Sequence, residues 1–583
     1  MSVSRLLPIT NNTDVVTFTI KVNGDAVPKS YNIVSITVNK EINRIPTARI
    51  ILTDGDASAG DFSVSDEDTL IPGNNIEIYS GYYSNEDIIF KGIITQHSIK
   101  IRSSFSQLII ECKDAAVKTT IGEKNKFFTD KKDSEVIQEI LGDYPDLQND
   151  IADTSFQNKQ LVQFKASDWD FIISRVEANG QVCIVDDGTI TTLVPDMSGD
   201  PLASPLFGAN IIELDAEIDA RVQTKSVKTA TWDFSGQELS EATASDPGWE
   251  ENGNISTTDL ADVIGLDTYE YHHGGSLETD ELQSWADALL LRQKMAKTRG
   301  RVKFQGMATV KPGTILELAG VGDRMNGKVY VTGVRHELAN GNWLCDAQFG
   351  LDPNWHIKQF EINAQAAANL LPSVKGLHIG IVTHLEGDPI GENRIQVKIP
   401  TISTDDEGIW ARVATLDAGK DRGTFFLPEL KDEVIVGFVN DDPRFAVVLG
   451  MLHSSSKPPP LDASDDNNQK GIFTREKIQI LFDDDKKSIT IQTPGKQKVV
   501  IDDDSGSISL EDKNGNKITM GGSGIVIDSA GELSIKSKKD MKIEGSMNVN
   551  LKATTQFKAE GTAGMEVSSS AIAVLKGALV QIN

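Results

Sequence analysis

Eight histidines, three cysteines and two runs of aspartates are the residues of this 583-residue sequence whose types could carry chemistry. Only His272 and His273 are adjacent, in Tyr269-Glu270-Tyr271-His272-His273-Gly274-Gly275, which reads as a polar loop rather than a metal or catalytic site. His336 lies in a strand-like run, where a local hydrogen bond would satisfy it. No histidine follows His453, so a histidine-ligated metal in the C-terminal segment is not expected. Cys112, Cys183 and Cys345 are far apart, each in an apolar or mixed run. An odd number without close spacing is neither a disulfide framework nor a zinc site, so the three read as small buried hydrophobes. Asp483-Asp484-Asp485 and Asp502-Asp503-Asp504 lack the loop glycine and ligand spacing of a calcium loop and read as hairpin turns. No Gly-x-Ser-x-Gly, Walker-type or dinucleotide fingerprint stands in a strand–helix context. The expectation is therefore no catalytic residue, no metal, no cofactor and no enzyme activity.

Bulk properties narrow the partners. A net charge of −28 repels phosphate backbones and anionic headgroups, which disfavours nucleic-acid and membrane-surface binding. Aromatics are only 6%, thin for an aromatic-lined sugar or base cleft. Hydrophobic and charged residues at 39% and 24% fit a globular chain. Met1 to Pro8 lacks a signal-peptide apolar core, and no apolar run is long enough for a membrane helix. The chain is expected to be made in the cytoplasm and, if it leaves, to be carried out by another machine.

The elements that would position these residues are mostly strands. Residues 1–370 read as strand-rich with helices. Val15 to Val22 alternates and ends at Asn23-Gly24; 48–52 and 76–79 are further strands. The pattern predicts helices over Ser134–Leu141 with Ser134 as cap, over Ser167–Asn179 stopped by Gly180, and over Asp280–Lys297 with Gly300 just past its end. A further helix is expected from Gln359 to Leu370, stopped by Pro372. Residues 376–453 form a compact all-β unit: Arg394 to Ile399 alternates, and Val434 to Val439 and Phe445 to Leu449 are apolar runs. The spacing fits a five-stranded barrel. Residues 454–470, with Pro458-Pro459-Pro460, read as a semi-rigid linker.

Residues 471–583 carry the sharpest pattern. From Ile525 the chain repeats every eight residues, in one register through Ile525, Leu533, Met541, Val549, Phe557, Met565 and Ala573. The second register, two residues later, runs through Ile527, Ile535, Ile543, Leu551, Ala559, Val567 and Leu575. Gly545-Ser546, Gly561-Thr562, Ser569-Ser570 and Gly577-Ala578 fall between them, so each repeat is one short strand and a bend. Two inward side chains per repeat cannot close a core alone. Either one chain coils three repeats into a triangular turn or three chains each supply a side; the period does not choose between them. Upstream, Ile489/Ile491, Val499/Ile501, Ile508/Leu510 and Ile518/Met520 show the same pairing at nine or ten residues, as a wider base; an ordinary antiparallel meander would alternate too. About 110 residues at eight per strand, stacked at about 4.7 Å, give a rod on the order of 60 Å. The apolar tail Leu579, Val580 and Ile582 would sit at its tip and take a partner.

Segment 376–582 resembles the VgrG family of type VI secretion and phage-like injection particles. The resemblance rests on Gly380-Ile381-Val382-Thr383, Arg394-Ile395-Gln396-Val397, Trp410-Ala411-Arg412-Val413, the run from Pro428 through Glu433 and Gly437 to Phe438, Asp442-Pro443 and Val447-Val448-Leu449-Gly450, in that order. Glu41 to Ala48 and Asp168 to Arg175 are similar to the hub half of such proteins. Two departures stand at turns: Lys431, where the family often has glycine, and Asn393-Arg394, where it has Gly-Arg.

The resemblance implies a mainly β fold: a β-barrel hub with some helices, an OB-type barrel, and a C-terminal triangular β-helix intertwined in a homotrimer. It implies a structural spike whose hub meets inner tube and baseplate proteins. Its needle would carry a small PAAR-type tip protein, and effector cargo could ride with it. Sheath contraction would drive the spike into the target envelope, as part of an injection particle delivered outside the cell or into a target cell. Some relatives insert a lysozyme domain between barrel and needle or an effector domain after it, and neither place is expected to hold one here. Two other readings remain open at this point: a glycan-degrading phage-tail spike, and a trimeric adhesin.

Overall fold

The computed structural model describes residues 15–582. Strands dominate it, as expected. The expectation about Met1 to Pro8 lies outside the described residues.

The N-terminal unit is organised by one twelve-stranded sheet. It runs from the edge strand Glu213–Ile218 through Thr298–Gln305, Asn342–Phe349 and Gly327–Ala339 to Asn32–Glu41 and Thr47–Thr53, then through Ser106–Lys113, Asn85–Ile101 and Asn75–Tyr82 to Val16–Val22. Strand Gly327–Ala339 joins the halves. Its C-terminal part pairs with Asn32–Glu41 on one side and with Asn342–Phe349 on the other. The sheet carries two apolar cores, one around Ile36, Ile50, Phe90 and Leu108, the other around Phe304, Val331, Cys345 and Phe349. A third core is helical: α1 (Asp133–Leu141) and α2 (Asp168–Ala178) bury Val136, Ile140, Trp169, Ile172 and Val176 against Cys183 and Val185.

Helix ends follow their caps. Ser167 caps α2, its hydroxyl accepting from the Asp170 N–H at 3.1 Å. Ser134 does not cap α1, contrary to expectation. The helix starts one residue earlier, Glu135 reaches back to the Lys132 N–H at 2.8 Å, and the Ser134 N–H donates to Thr154 Oγ1. After α3 (Thr257–Ile264) comes α4 (Thr279–Met295), close to the span expected. Gly300 is not its stop but a strand residue. A Cβ there would lie 2.2 Å from the Asp215 carbonyl oxygen, so glycine permits the close approach of strand Glu213–Ile218. The helix expected over Gln359–Leu370 is absent. A turn at His356–Gln359 and a separate 3-10 turn at Ala366–Asn369 replace it, with Ala367 and Ala368 at positive φ. The alanines have helical propensity, but most of this stretch is exposed and offers no apolar stripe to pack, and short helices without packing are marginal.

The closed barrel is as expected: His378–His384, Ile395–Lys398, Ile409–Val413, Ala446–Met451 and Glu433–Phe438, in that order around the ring. Val382, Ile395, Val397, Ala411, Val434, Val436 and Val448 fill it. Lys431 and Asn393 both adopt left-handed backbone, at φ 68° and 54°, which is why glycine suits these turns.

Residues 469–528 form a seven-stranded antiparallel meander of five-residue strands from Gln469–Phe473 to Gly524–Asp528. The aspartate runs are its hairpin turns, as read: Asp483 accepts from the Lys486 N–H and Asp502 from the Ser505 N–H. Beyond Asp528 the described residues contain no hydrogen-bonded strand.

Candidate functional site

Alternation fixes what the meander presents. Its register sets Ile480 opposite Ile491, Phe482 opposite Ile489, Ile491 opposite Val499, Ile501 opposite Ile508, Leu510 opposite Ile518, and Ile518 opposite Ile527. Because the side-chain period is two, all of these lie on one face. The other face is mostly polar, with Ser488, Thr490, Lys498, Asp502, Ser507, Ser509, Lys517 and Thr519, and carries Leu481, Val500 and Val526 among them. A central pair such as Ile501 and Ile508 remains 43% and 38% exposed, so nothing in the single chain covers this face. A continuous apolar face of this kind marks a protein–protein contact. The upstream pairs are thus an antiparallel meander whose one-sided pattern continues into the repeat.

The expected needle-core residues are uncovered too. Ile525 and Ile527 stand on the last strand. Leu533, Ile535, Met541, Ile543, Val549, Leu551, Phe557, Met565, Val567 and Leu575 follow it, each at least 48% exposed. The chain does not coil three repeats upon itself, so one of the two closures left open by the period is not adopted by the single chain. Leu579, Val580 and Ile582 are exposed at the end of the described chain.

The barrel motif residues do not converge on a pocket. Trp410 and Arg412 lie on strand Ile409–Val413, Glu433 and Gly437 on Glu433–Phe438, and Gly450 on Ala446–Met451. Pro428 is buried before a turn. Asp442 and Pro443 make the turn between two barrel strands. There the Asp442 carboxylate accepts from the Arg444 N–H at 2.9 Å and from its guanidinium at 2.6 Å, which holds the carboxyl below its usual range. These residues shape a barrel.

The histidines of the N-terminal unit correct two expectations. His272 and His273 belong to strand Thr268–His273, which pairs in parallel with Ser226–Asp233, rather than to a loop. His336 is buried between the cross-strand residues Val38 and Cys345, and its Nδ1 has no hydrogen-bond partner. Burial, with the Lys40 and Lys311 cations nearby, pushes its pKa down to about 3. The three cysteines are buried free thiols, pushed up by burial. Among the described residues no group of histidines, cysteines and carboxylates is arranged to hold a metal.

Sequence reasoning missed the buried charges of the N-terminal unit. Glu177 on α2, almost fully buried, accepts from Arg292 on α4 at 2.9 Å, from Asn43 at 3.1 Å and from the His356 N–H at 2.7 Å. Arg292 lies inside the helix expected over Asp280–Lys297, whose sequence does not show that it is buried. The set ties α2, α4 and the loop after strand Asn32–Glu41 together, and lines a polar cavity of about 430 Å³ with Arg44, Arg299 and Glu41. Also missed was an exposed apolar loop on the barrel, signalled by the adjacent Phe425 and Phe426.

Comparison with known proteins agrees with this layout. Residues 12–340, more than half of the chain, match the family model described as the Alg8 N-terminal domain. Residues 378–453 match the type VI secretion system/phage-baseplate injector OB domain, and 488–583 the phage baseplate V C-terminal trimerisation domain. The chain belongs to the Alg8 N-terminal domain family, and its barrel and C-terminal segment are VgrG-like. The chain is similar to the type VI secretion system spike protein VgrG1b of Pseudomonas aeruginosa, with 21% identity over 385 residues, 60% of this chain and 49% of that protein. The chain therefore spans about half the length of that relative. Among solved structures it is similar to an Escherichia coli component of the type VI secretion system (11% identity, TM-score 0.39, 74% of this chain and 99% of that one). It is also similar to a chain of the Francisella PdpA–VgrG complex (11% identity, TM-score 0.36, 89% of each chain).

Proposed function

We propose that this chain is the central spike of a contractile injection system and works as a homotrimer. Three copies of the meander turn their apolar faces inward, and the eight-residue repeat continues the same closure as a three-sided prism down to the tip. The observation that carries this reading is the one-sided apolar face from Ile480 to Ile527, uncovered in the single chain and continuous with the repeat. The family models for an injector barrel and a trimerisation segment support it.

In this reading residues 1–370 are the hub facing inner tube and baseplate proteins, 376–453 the barrel collar, 454–470 the linker and 471–583 the needle. Leu579, Val580 and Ile582 seat a small PAAR-type tip protein, and effector cargo travels with the assembly. Contraction of a sheath drives the trimer through the target envelope, and the chain's part is mechanical rather than catalytic. Rigidity comes from inter-chain strand stacking around a dry core. The relatives named for secretion spikes fit a place in a secreted machine. Cryo-electron microscopy of the purified full chain tests the closure. A three-fold rod with density for three chains around Ile543 and Leu551 supports it; a rod built by one coiled chain would overturn it.

A further inference from the structure

The polar cavity of about 430 Å³ in the N-terminal unit is lined by carboxylates and guanidinium groups, and most of them are engaged. Glu177 holds Arg292 at 2.9 Å, Asp215 holds Arg301 at 2.7 Å, and Asp352 accepts from the Asn354 N–H at 2.7 Å. Two are not. Arg44 has no carboxylate partner among the described residues, although the chain has only 57 Lys and Arg against 85 Asp and Glu. Its guanidinium donates to the Gln359 side-chain oxygen at 3.1 Å and stacks 4.1 Å from the centre of the Phe360 ring. Glu41 accepts no hydrogen bond among the described residues. Water reaches it through the cavity, yet the surrounding protein pushes its carboxyl up, against the opposing pull of Arg44. A third group is half engaged: Arg299 pairs with Glu217 at 2.9 Å, but its buried Nε–H has no acceptor.

We infer that this cavity binds a free α-amino acid, its carboxylate on Arg44 and its ammonium group on Glu41. The two side chains lie three residues apart in one turn, where the Arg44 N–H donates to the Glu41 carbonyl at 3.3 Å, yet they do not pair with each other. A lone anion would meet the Glu41 carboxylate and a lone cation the Arg44 guanidinium. A zwitterion with both charges on neighbouring atoms satisfies both. The guanidinium fork matches a planar carboxylate, and the Phe360 stack and Gln359 bond already orient it. An ammonium group beside Glu41 would draw its carboxyl back down. The turn is also held in place before any ligand arrives. The Ile42 N–H donates to the Thr332 carbonyl at 2.9 Å and the Asn43 N–H to the Cys183 carbonyl at 2.7 Å, while the Asn43 side chain accepts from the Cys183 N–H at 2.8 Å. Such preordering lowers the entropy lost on binding. The volume admits a side chain as well as the charged groups. This inference does not depend on the trimeric reading.

The test is saturation-transfer difference NMR of the full-length chain with pools of the common amino acids, followed by calorimetric titration of the strongest. Acetate and methylammonium, which each carry one of the two charges, are titrated alongside. The expected result is an amino acid with a Kd below about 1 mM, with acetate and methylammonium each weaker by roughly tenfold or more. Glu41→Gln and Arg44→Gln should each weaken the amino acid by roughly tenfold and leave thermal unfolding unchanged. No binding of any amino acid overturns the inference. So does acetate binding as tightly as the amino acid, or an unchanged affinity in Glu41→Gln, either of which would make this a plain anion site. Where a variant fails to fold, the comparison with acetate and methylammonium on the unaltered chain decides alone.

Discussion

Ile501 stands directly across from Ile508 in the middle of the meander, and both remain about two-fifths exposed. Central-strand isoleucines normally pack against a second layer. Among the described residues no second layer covers them, and in the proposed trimer another copy supplies it.

Ile501→Asp should therefore abolish trimers, whereas Ser509→Asp on the opposite face should leave them intact. Sedimentation velocity distinguishes the two variants. An unpaired carboxylate buried in an apolar layer costs several kcal/mol, about 2–7 even for an uncharged polar group, and three copies would share one core.

Ile543→Asp tests the repeat in the same way. It should leave the hub and barrel folded, with unchanged near-ultraviolet circular dichroism, and remove the trimer. A soluble, fully assembled Ile543→Asp trimer would contradict the placement of Ile543 inside the needle.

Glu177→Leu leaves Arg292 buried without its carboxylate and the His356 N–H without its acceptor. Breaking one side of a buried pair costs about 3–5 kcal/mol. Thermal unfolding of the N-terminal unit should move down by several degrees, while Lys159→Ala, which removes an exposed pair with Asp130, should change it little.

Buried His336 is neutral in the fold, with a pKa far below that of a free histidine. Its stabilising contribution is complete above about pH 6.5 and is lost as the pH falls toward about 3, because the unfolded chain takes the proton first. Each pH unit in that window is worth about 1.4 kcal/mol. His336→Leu should flatten the acid dependence of hub unfolding measured by urea titration between pH 6.5 and 4.

Lys431→Gly should stabilise the barrel by about 1 kcal/mol, because a side chain in left-handed backbone is strained and the substitution removes that strain. The backbone carbonyl of residue 431 still accepts from Lys457. Chemical denaturation measures the gain, and a loss would show that the strain is not at this residue.

The barrel and the meander were legible because strict alternation fixes which side chains share a face, and Ile395–Lys398 and the strands from Ser488 to Asp528 follow it. The repeat from Ile525 is legible as a period but not as a closure, since a period does not say which chain supplies the next side. The hub sheet was not legible, because its key pairing joins Asn32–Glu41 to Gly327–Ala339 across nearly the whole unit. The helix expected over Gln359–Leu370 failed because alanine propensity without an apolar stripe does not hold a helix in water. Tyr269 to His273 was misread from its polarity, although its alternation was that of a strand. The orphaned Nδ1 of His336 depends on packing across three strands, which spacing does not reveal.

The solution mass of the purified full-length chain by light scattering tests the central claim most directly. The account predicts a species near three times 63.4 kDa, about 190 kDa. A stable, folded species at 63.4 kDa would contradict it, since the apolar face from Ile480 to Ile527 would then be covered within one chain.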